Sequence, residues 1–281
     1  MILVIGGTGT VGSVLVRELA ARDAPFRVLV RSLGRRPFPP KTQIVTGDLA
    51  DPASLPAAFH GIERLFLLTP PVDTMVAWQQ AALEAARRAG VRQVVKLSMI
   101  GVGEGSSTHL GRWHAETDAA VRGFPSWTVL CPHSFMQNTL AFAPSVRAEG
   151  RFYAPTAGAV FPLVDARDVA AVAAECLTTD DHAGETYVLT GPEAIGYDRV
   201  AHEIGDAIKK TVQFVDVPAE AGKQGMLAAG YPAWLADDLV TMMQTWSTGI
   251  DCDTSHAVRS IAGLVPRSYR TFAQDHAEAF R

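Results

Sequence analysis

Short, continuously apolar runs alternate with longer amphipathic stretches over the first two-thirds of the chain. The apolar runs fall at 2–5, 26–30, 43–45, 64–68, 93–97 and 127–131. They do not alternate between apolar and polar, which predicts parallel strands covered on both faces. The stretches between them carry helical periodicity. Over 10–22, Val11, Val14, Leu15 and Leu19 recur at i, i+3, i+4 and i+8, with Arg17, Glu18 and Arg22 turned elsewhere. Asp51-Pro52 joins an N-cap to a first-turn proline and predicts a short helix ending at 59. Stretches 73–89 and 108–122 read as helices closed by Gly90 and Gly123. Strand and helix in this rhythm predict an α/β protein built on a doubly wound parallel sheet.

Past residue 132 the rhythm loosens. A helix over 165–177 and a strand over 185–190 still read as sheet elements. Helices over 197–208, 219–229, 232–247 and 269–280, with one strand over 212–217, make up the rest. The expectation is a single unit over 1–281. Its core sheet takes residues 1–132 plus 165–190, and a small, mostly helical lobe takes 133–164 and 191–281.

Composition narrows the class. The chain has 281 residues, is 48% apolar, and carries 25 Lys plus Arg against 29 Asp plus Glu. A net charge of −4 offers no basic stripe for nucleic acid. Arg31, Arg35 and Arg36 form the one tight basic cluster, which suits a single phosphate group rather than a duplex. Cys131, Cys176 and Cys252 show neither zinc spacing nor a CxxC and read as free buried thiols of a reducing compartment. No helix pair carries an HExxH, and no metal is expected. No basic n-region precedes the first apolar run, and no apolar run approaches ~20 residues, so neither a signal peptide nor a membrane span is expected. The expectation is a cytoplasmic protein that handles a small molecule, its oligomeric state open.

The chemistry begins at Gly6-Gly-Thr8-Gly9-Thr10-Val11-Gly12, between the first strand and the first helix. In that setting Gly6 permits the tight turn, Gly9 lets backbone approach a pyrophosphate, and Gly12 lets helix and strand pack closely. The helix N-terminus then offers free N–H groups to the phosphates. An acid at the end of the second strand would accept from a ribose 2′-hydroxyl. Here Arg31-Ser32 stands there instead, with Arg35 or Arg36 beyond, a set that suits a 2′-phosphate and predicts NADP(H). The other strand ends face the same crevice. Asp48-Leu49 is expected near adenine and Thr69-Pro70 near ribose; Ser98-Met99 ends the fifth strand, and Pro132-His133 through Phe135 and Asn138, after the sixth, is expected near the nicotinamide.

Together these residues resemble the atypical short-chain dehydrogenase/reductase superfamily and, within it, the NmrA-like group. The similarity rests on the glycine motif, Gly47-Asp48-Leu49, Lys96-Leu97-Ser98, Gly111-Arg112-Trp113-His114, Pro132 with Phe135-Met136-Gln137-Asn138, and Val164-Asp165-Ala166-Arg167-Asp168. The branch it resembles holds quinone reductase-like and festuclavine dehydrogenase-like proteins. The resemblance implies a Rossmann-type NADP(H) domain with a small C-terminal substrate lobe. Members of the wider superfamily place a Ser, then Tyr-x-x-x-Lys on the helix after the fifth strand. Ser98 matches the Ser, but Leu110 and His114 occupy the Tyr and Lys positions. All five tyrosines lie at 153 or later and none has Lys four residues on.

Without that tyrosine, reduction of an unactivated ketone lacks its usual proton donor. A quinone, an imine or iminium, or an activated alkene needs one less. Ser98, His114 and His133 are the candidate catalytic residues, imidazole being suited to acid work near neutrality. Met99, Trp113, Phe135 and Asn138 are the candidate pocket residues. The leading expectation is an NADPH-dependent oxidoreductase acting on a small conjugated acceptor. The alternative is a non-catalytic NADP(H)-binding redox sensor that regulates a protein partner.

Overall fold

A computed structural model describes residues 1–34 and 38–281. Among these residues a seven-stranded sheet is built from β1 (Ile2–Val4), β2 (Phe26–Val30), β3 (Gln43–Thr46), β4 (Arg64–Leu67), β5 (Gln93–Leu97), β6 (Ser126–Pro132) and β8 (Glu185–Leu189). The order across the sheet is β3-β2-β1-β4-β5-β6-β8 and each neighbouring pair is parallel. This is the doubly wound order, with its reversal between β1 and β4. The central strands are buried throughout, as continuous apolar runs require. The outer strands are not. β3 is largely exposed and Val188 of β8 is 38% exposed, because each has a neighbour on one side only.

Helices α1 (Thr10–Ala21) and α6 (Ala166–Thr178) pack on one face and α3 (Met75–Arg88) and α4 (His109–Val121) on the other. In α1 the buried stripe is Val11, Gly12, Leu15, Val16 and Leu19. Val14 sits at its edge, and Val16 takes the inward place. The single short helix expected over 51–59 is a 3-10 turn at Pro52–Ser54 followed by α2 (Pro56–Phe59), because a second proline restarts the helix.

The remaining residues form a third apolar cluster around Phe152, Phe161, Tyr197, Ile204, Trp246 and Phe272. It contains α5 (Ala143–Glu149), α7 (Tyr197–Ile208), and a small parallel pair of β7 (Arg151–Ala154) with β9 (Gln213–Asp216). α8 (Ala219–Ala228) and α9 (Ala233–Ser247) form a hairpin at its edge, and α10 (Ala257–Ala262) returns to the sheet side. The helix expected over 269–280 breaks at His276 into α11 (Tyr269–Asp275) and α12 (Ala277–Phe280). Cys131 and Cys176 are buried and Cys252 is only half-buried. Among the described residues no helix is long and apolar enough to cross a membrane.

Candidate active site

Because every strand in the large sheet is parallel, every strand ends on the same edge. Read across the sheet, that edge presents Asp48, Arg31, Gly6, Thr69, Ser98 and His133 in turn. Arg31 and Ser98 are three strand steps apart, about 14 Å at the usual inter-strand spacing.

The glycine turn is shaped by contacts rather than by flexibility. Gly6 has φ +83, and a Cβ there would lie 2.6 Å from the Leu68 carbonyl oxygen of the neighbouring strand end. A Cβ on Gly12 would lie 2.1 Å from the Gly6 carbonyl oxygen, so only glycine lets α1 rise this close to β1. At Gly9, the N-cap of α1, the nearest atom would be 3.4 Å away, leaving room for an approaching ligand. No side chain caps α1, so its first-turn N–H groups face outward with the positive end of the helix dipole. A cavity of about 420 Å³ opens beside the turn, lined by Gly7, Thr8, Ser13, Val16, Arg17, Phe38 and Pro39. Arg31 and Ser32 are exposed at the end of β2, and Arg35 and Arg36 lie outside the described residues. Asp48 folds its own turn, its Oδ1 accepting from the Ala50 amide at 2.9 Å, while Leu49 packs inward. Thr69 is buried, its Oγ1 accepting from Gln79 Nε2 at 2.8 Å, and Pro70 is exposed. These features fit a dinucleotide: a glycine turn that admits no Cβ at Gly6 or Gly12 and leaves open space at Gly9, an uncapped helix end, and Arg31 at the end of β2.

At β5 the strand carries a charge. Lys96 is completely buried, and its Nζ donates to Asp118 Oδ1 at 2.6 Å and to His114 Nδ1 at 2.9 Å. Ser98, two residues along the strand on the same face, donates to Asp118 Oδ2 at 2.7 Å. His114 and Asp118 stand four apart on α4 and so share the face that meets β5. Burial lowers the Lys96 pKa, with Asp118 opposing it. Burial and the Lys96 charge hold His114 well below its ordinary value. The Cys131 thiol on adjacent β6 is pushed up to about 12 by burial and by Asp118. Ser98 and His114 are thus brought together, but through Lys96 and Asp118. The sequence pattern assigned no role to either of these two. The signal was present: a lysine in a strand covered on both faces demands an anion, and Asp118 lies one turn beyond His114.

His133 lies elsewhere. It is 2% exposed, with its ring 5.7 Å from Phe161 and 4.4 Å from Trp246. Its Nδ1 accepts from the Ser134 amide at 2.7 Å and its buried Nε2 has no protein partner. Burial lowers its pKa to about 4. Pro132 is buried, Met99 is half-buried, and Asn138 is exposed with its amide on Ser134 Oγ. Phe135 is half-buried and packs on the sheet core beside Val164. Trp113 packs in tilted contact with His109 and Trp234, 5.8 and 4.8 Å between ring centres, in the N-terminal half of α4, where α9 docks. Leu110 is buried, and its amide donates to Asp238 Oδ2 at 2.8 Å. Among the described residues His202, Glu203 and Asp206 bring donor atoms within 4.8 Å of one another. Arg199 at 2.5 Å and Arg270 at 3.0 Å already hold Glu203, and two guanidiniums repel a cation.

The chain is similar to known proteins over its whole length. An NAD(P)H azoreductase of Xenophilus azovorans is 36% identical over 283 residues, covering 100% of this chain and 99% of its own. A (4-alkanoyl-5-oxo-2,5-dihydrofuran-3-yl)methyl phosphate reductase of Streptomyces griseus is 35% identical over 291 residues, covering 100% and 99%. The Escherichia coli quinone oxidoreductase QOR2, solved with NADPH, superposes with a TM-score of 0.85 at 24% identity, covering 98% of this chain and 99% of that one, and so shares the fold. The profile of the NmrA-like family matches residues 1–274, from β1 into α11, and the chain belongs to that family.

Proposed function

We propose that the protein is an NADP(H)-dependent oxidoreductase that reduces a small conjugated acceptor, a quinone, an imine or iminium, or an activated alkene. The azo bond named for the Xenophilus relative is of the same electron-poor kind. The observation that carries this reading is the pairing of two features on one sheet edge. An uncapped glycine turn suited to a pyrophosphate stands two strand steps from a polar cluster, Ser98, His114, Lys96 and Asp118, that contains no tyrosine. When bound, NADPH supplies hydride. The protein's part is to hold the dinucleotide and to manage one proton. Gly6, Gly9 and Gly12, with the amides of Thr10 and Val11, form the pyrophosphate cradle. Arg31 and Ser32, with Arg17 from the lining of the cavity beside the glycine turn, hold the 2′-phosphate. Ser98 and His114 meet the acceptor. The lobe over 133–164 and 191–281 shapes the acceptor pocket, with Trp113 and Met99 on the sheet side.

The test has two parts. NADPH consumption is followed at the dihydronicotinamide absorbance with quinones, imines, enals and azo compounds. Turnover with at least one class, reduced about 100-fold or more in His114→Ala, is expected. Binding of NADPH without turnover on the whole panel would overturn the reductase and favour a sensor. Cofactor choice is read by calorimetry. Arg31→Ala and Arg17→Ala should each weaken 2′,5′-ADP about 10-fold, as loss of a charge-assisted bond does, and leave 5′-AMP unchanged.

A further inference from the structure

We propose that Lys96 is a positioning residue that works through His114 as a proton relay. Lys96 Nζ passes a proton to His114 Nδ1 as His114 Nε2 gives its own to the reduced acceptor. This rests on the reductase reading of the same site and adds to it the source of the proton.

An ammonium has donors and no lone pair, so in the 2.9 Å contact Nδ1 must be the acceptor. A neutral imidazole whose Nδ1 accepts carries its hydrogen on Nε2. Lys96 therefore fixes the tautomer of His114 and aims the only N–H of the ring away from the strand. The ammonium is itself fixed, being fully buried with Asp118 Oδ1 at 2.6 Å, and Ser98 holds the second oxygen of that carboxylate. A conventional acid would be imidazolium, but burial and the Lys96 charge disfavour that form. Loss of the Nε2 proton from a neutral ring would leave a strongly basic imidazolate. The ammonium 2.9 Å from Nδ1 removes that difficulty by supplying a proton as the other leaves.

The balance closes. Hydride addition to a neutral acceptor, a quinone, an imine or an activated alkene, leaves an anion, two electrons reduced; an iminium becomes a neutral amine and calls on no relay. The Nε2–H bond breaks and an O–H or N–H bond forms on the acceptor. One N–H bond of Lys96 breaks and Nδ1–H forms, leaving a neutral amine beside Asp118. After product leaves, water protonates Nε2 and the Nδ1 proton returns to Lys96. Each turnover uses one hydride from NADPH and one proton from water. No proton path to the buried lysine is needed beyond the ring itself.

The groups facing Lys96 are His114, Asp118 and Arg122 from α4, Ser98 from its own strand end and Cys131 from β6. Of these the ammonium limits the relay in base. The rate should therefore fall as pH rises through the lysine pKa, which lies below its ordinary 10.5.

The wiring is tested on the resting wild-type protein by long-range 1H–15N correlation of labelled histidines, with His114→Asn to assign the signal. A neutral Nε2–H tautomer persisting well below pH 6.5 is expected. An Nδ1–H tautomer, or titration near 6.5, overturns the proposal whether or not any substrate turns over. The step is tested with Lys96→Met/Asp118→Asn, which leaves no buried charge unpaired. His114 should then titrate closer to 6.5, kcat should fall about 100-fold with KM little changed, and the alkaline fall in rate should vanish. A folded double variant with wild-type kcat and pH profile overturns the relay. So does a wild-type kcat without a solvent deuterium isotope effect.

Discussion

A lysine within a strand covered on both faces persists only where its charge is cancelled. Lys96 meets that condition through Asp118, and breaking one half of such a pair costs about 3–5 kcal/mol. The glycines make the complementary point, since they matter for what they leave out. Alanine in a helix ordinarily gains about 1 kcal/mol over glycine. At Gly12 the added Cβ would meet the Gly6 carbonyl oxygen at 2.1 Å. Gly12→Ala should therefore lose about 2 kcal/mol or more of stability in urea, the cost of overpacking exceeding the gain. Gly9→Ala makes a different prediction. Gly9 has φ −82, which alanine tolerates, and its nearest contact would be 3.4 Å. That variant should unfold at the wild-type midpoint and bind NADPH at least about 10-fold more weakly, because a methyl group would occupy the ligand's space. Equal loss of stability in both variants would show that the turn is built only for packing.

At the scale of elements, what could be read from sequence was what local pattern controls. The six strand-like runs of the first 131 residues appear as β1 to β6, and 185–190 and 212–217 appear as β8 and β9, with ends shifted by a residue or two. β7 was missed because four residues of alternating burial gain their meaning only by pairing with β9, some sixty residues on. α5 was missed because it is one short helix with a proline in its first turn. The two helices α8 and α9 were foreseen, but neither their pairing as a hairpin nor its loose seating. α8 buries no residue. Its partner α9 is tied to α4 by Asp238, which accepts from the His109 amide, the Leu110 amide and His109 Nδ1 at 3.0, 2.8 and 2.9 Å. Asp238 thus caps a helix from another element, satisfying N–H groups that would otherwise be orphans. Asp238→Ala should cost about 1–2 kcal/mol. In hydrogen exchange the loss of protection should fall on 219–247 and the first turn of α4, leaving β1, β4 and β5 unchanged. Uniform loss across the sheet would mean that the hairpin is integral to the core.

For the whole molecule, the parallel order was legible in the sequence, and it alone puts Arg31, Gly6, Ser98 and His133 on one edge. The joins between sheet and lobe were not legible, because they are made by pairs far apart in sequence, such as the Ser255 amide with Thr190 Oγ1 and the Arg267 amide with Asp168. His133 shows the consequence. Its position at the end of β6 suggested an acid in the pocket, but the lobe closes Phe161 and Trp246 around it. A ring so enclosed is held neutral, and this couples stability to pH. The His133 pKa is about 4 when folded, against 6.5 for an ordinary histidine. A depressed value means that its contribution is fully present above pH 6.5 and is lost as pH falls from 6.5 toward 4. At 1.36 kcal/mol per pH unit, the part lost between pH 6.5 and pH 5 is about 2 kcal/mol. His114 is shifted in the same direction and steepens the slope. Asp168, raised by burial, works against it. His133→Asn keeps an acceptor for the Ser134 amide and removes the titration, so the difference between variant and wild type isolates this one ring. Urea unfolding at pH 7 and pH 5 should show the wild type losing about 2 kcal/mol more than the variant. Equal losses would mean that the ring titrates in the folded protein as it does in the unfolded chain, against its burial beside Phe161 and Trp246.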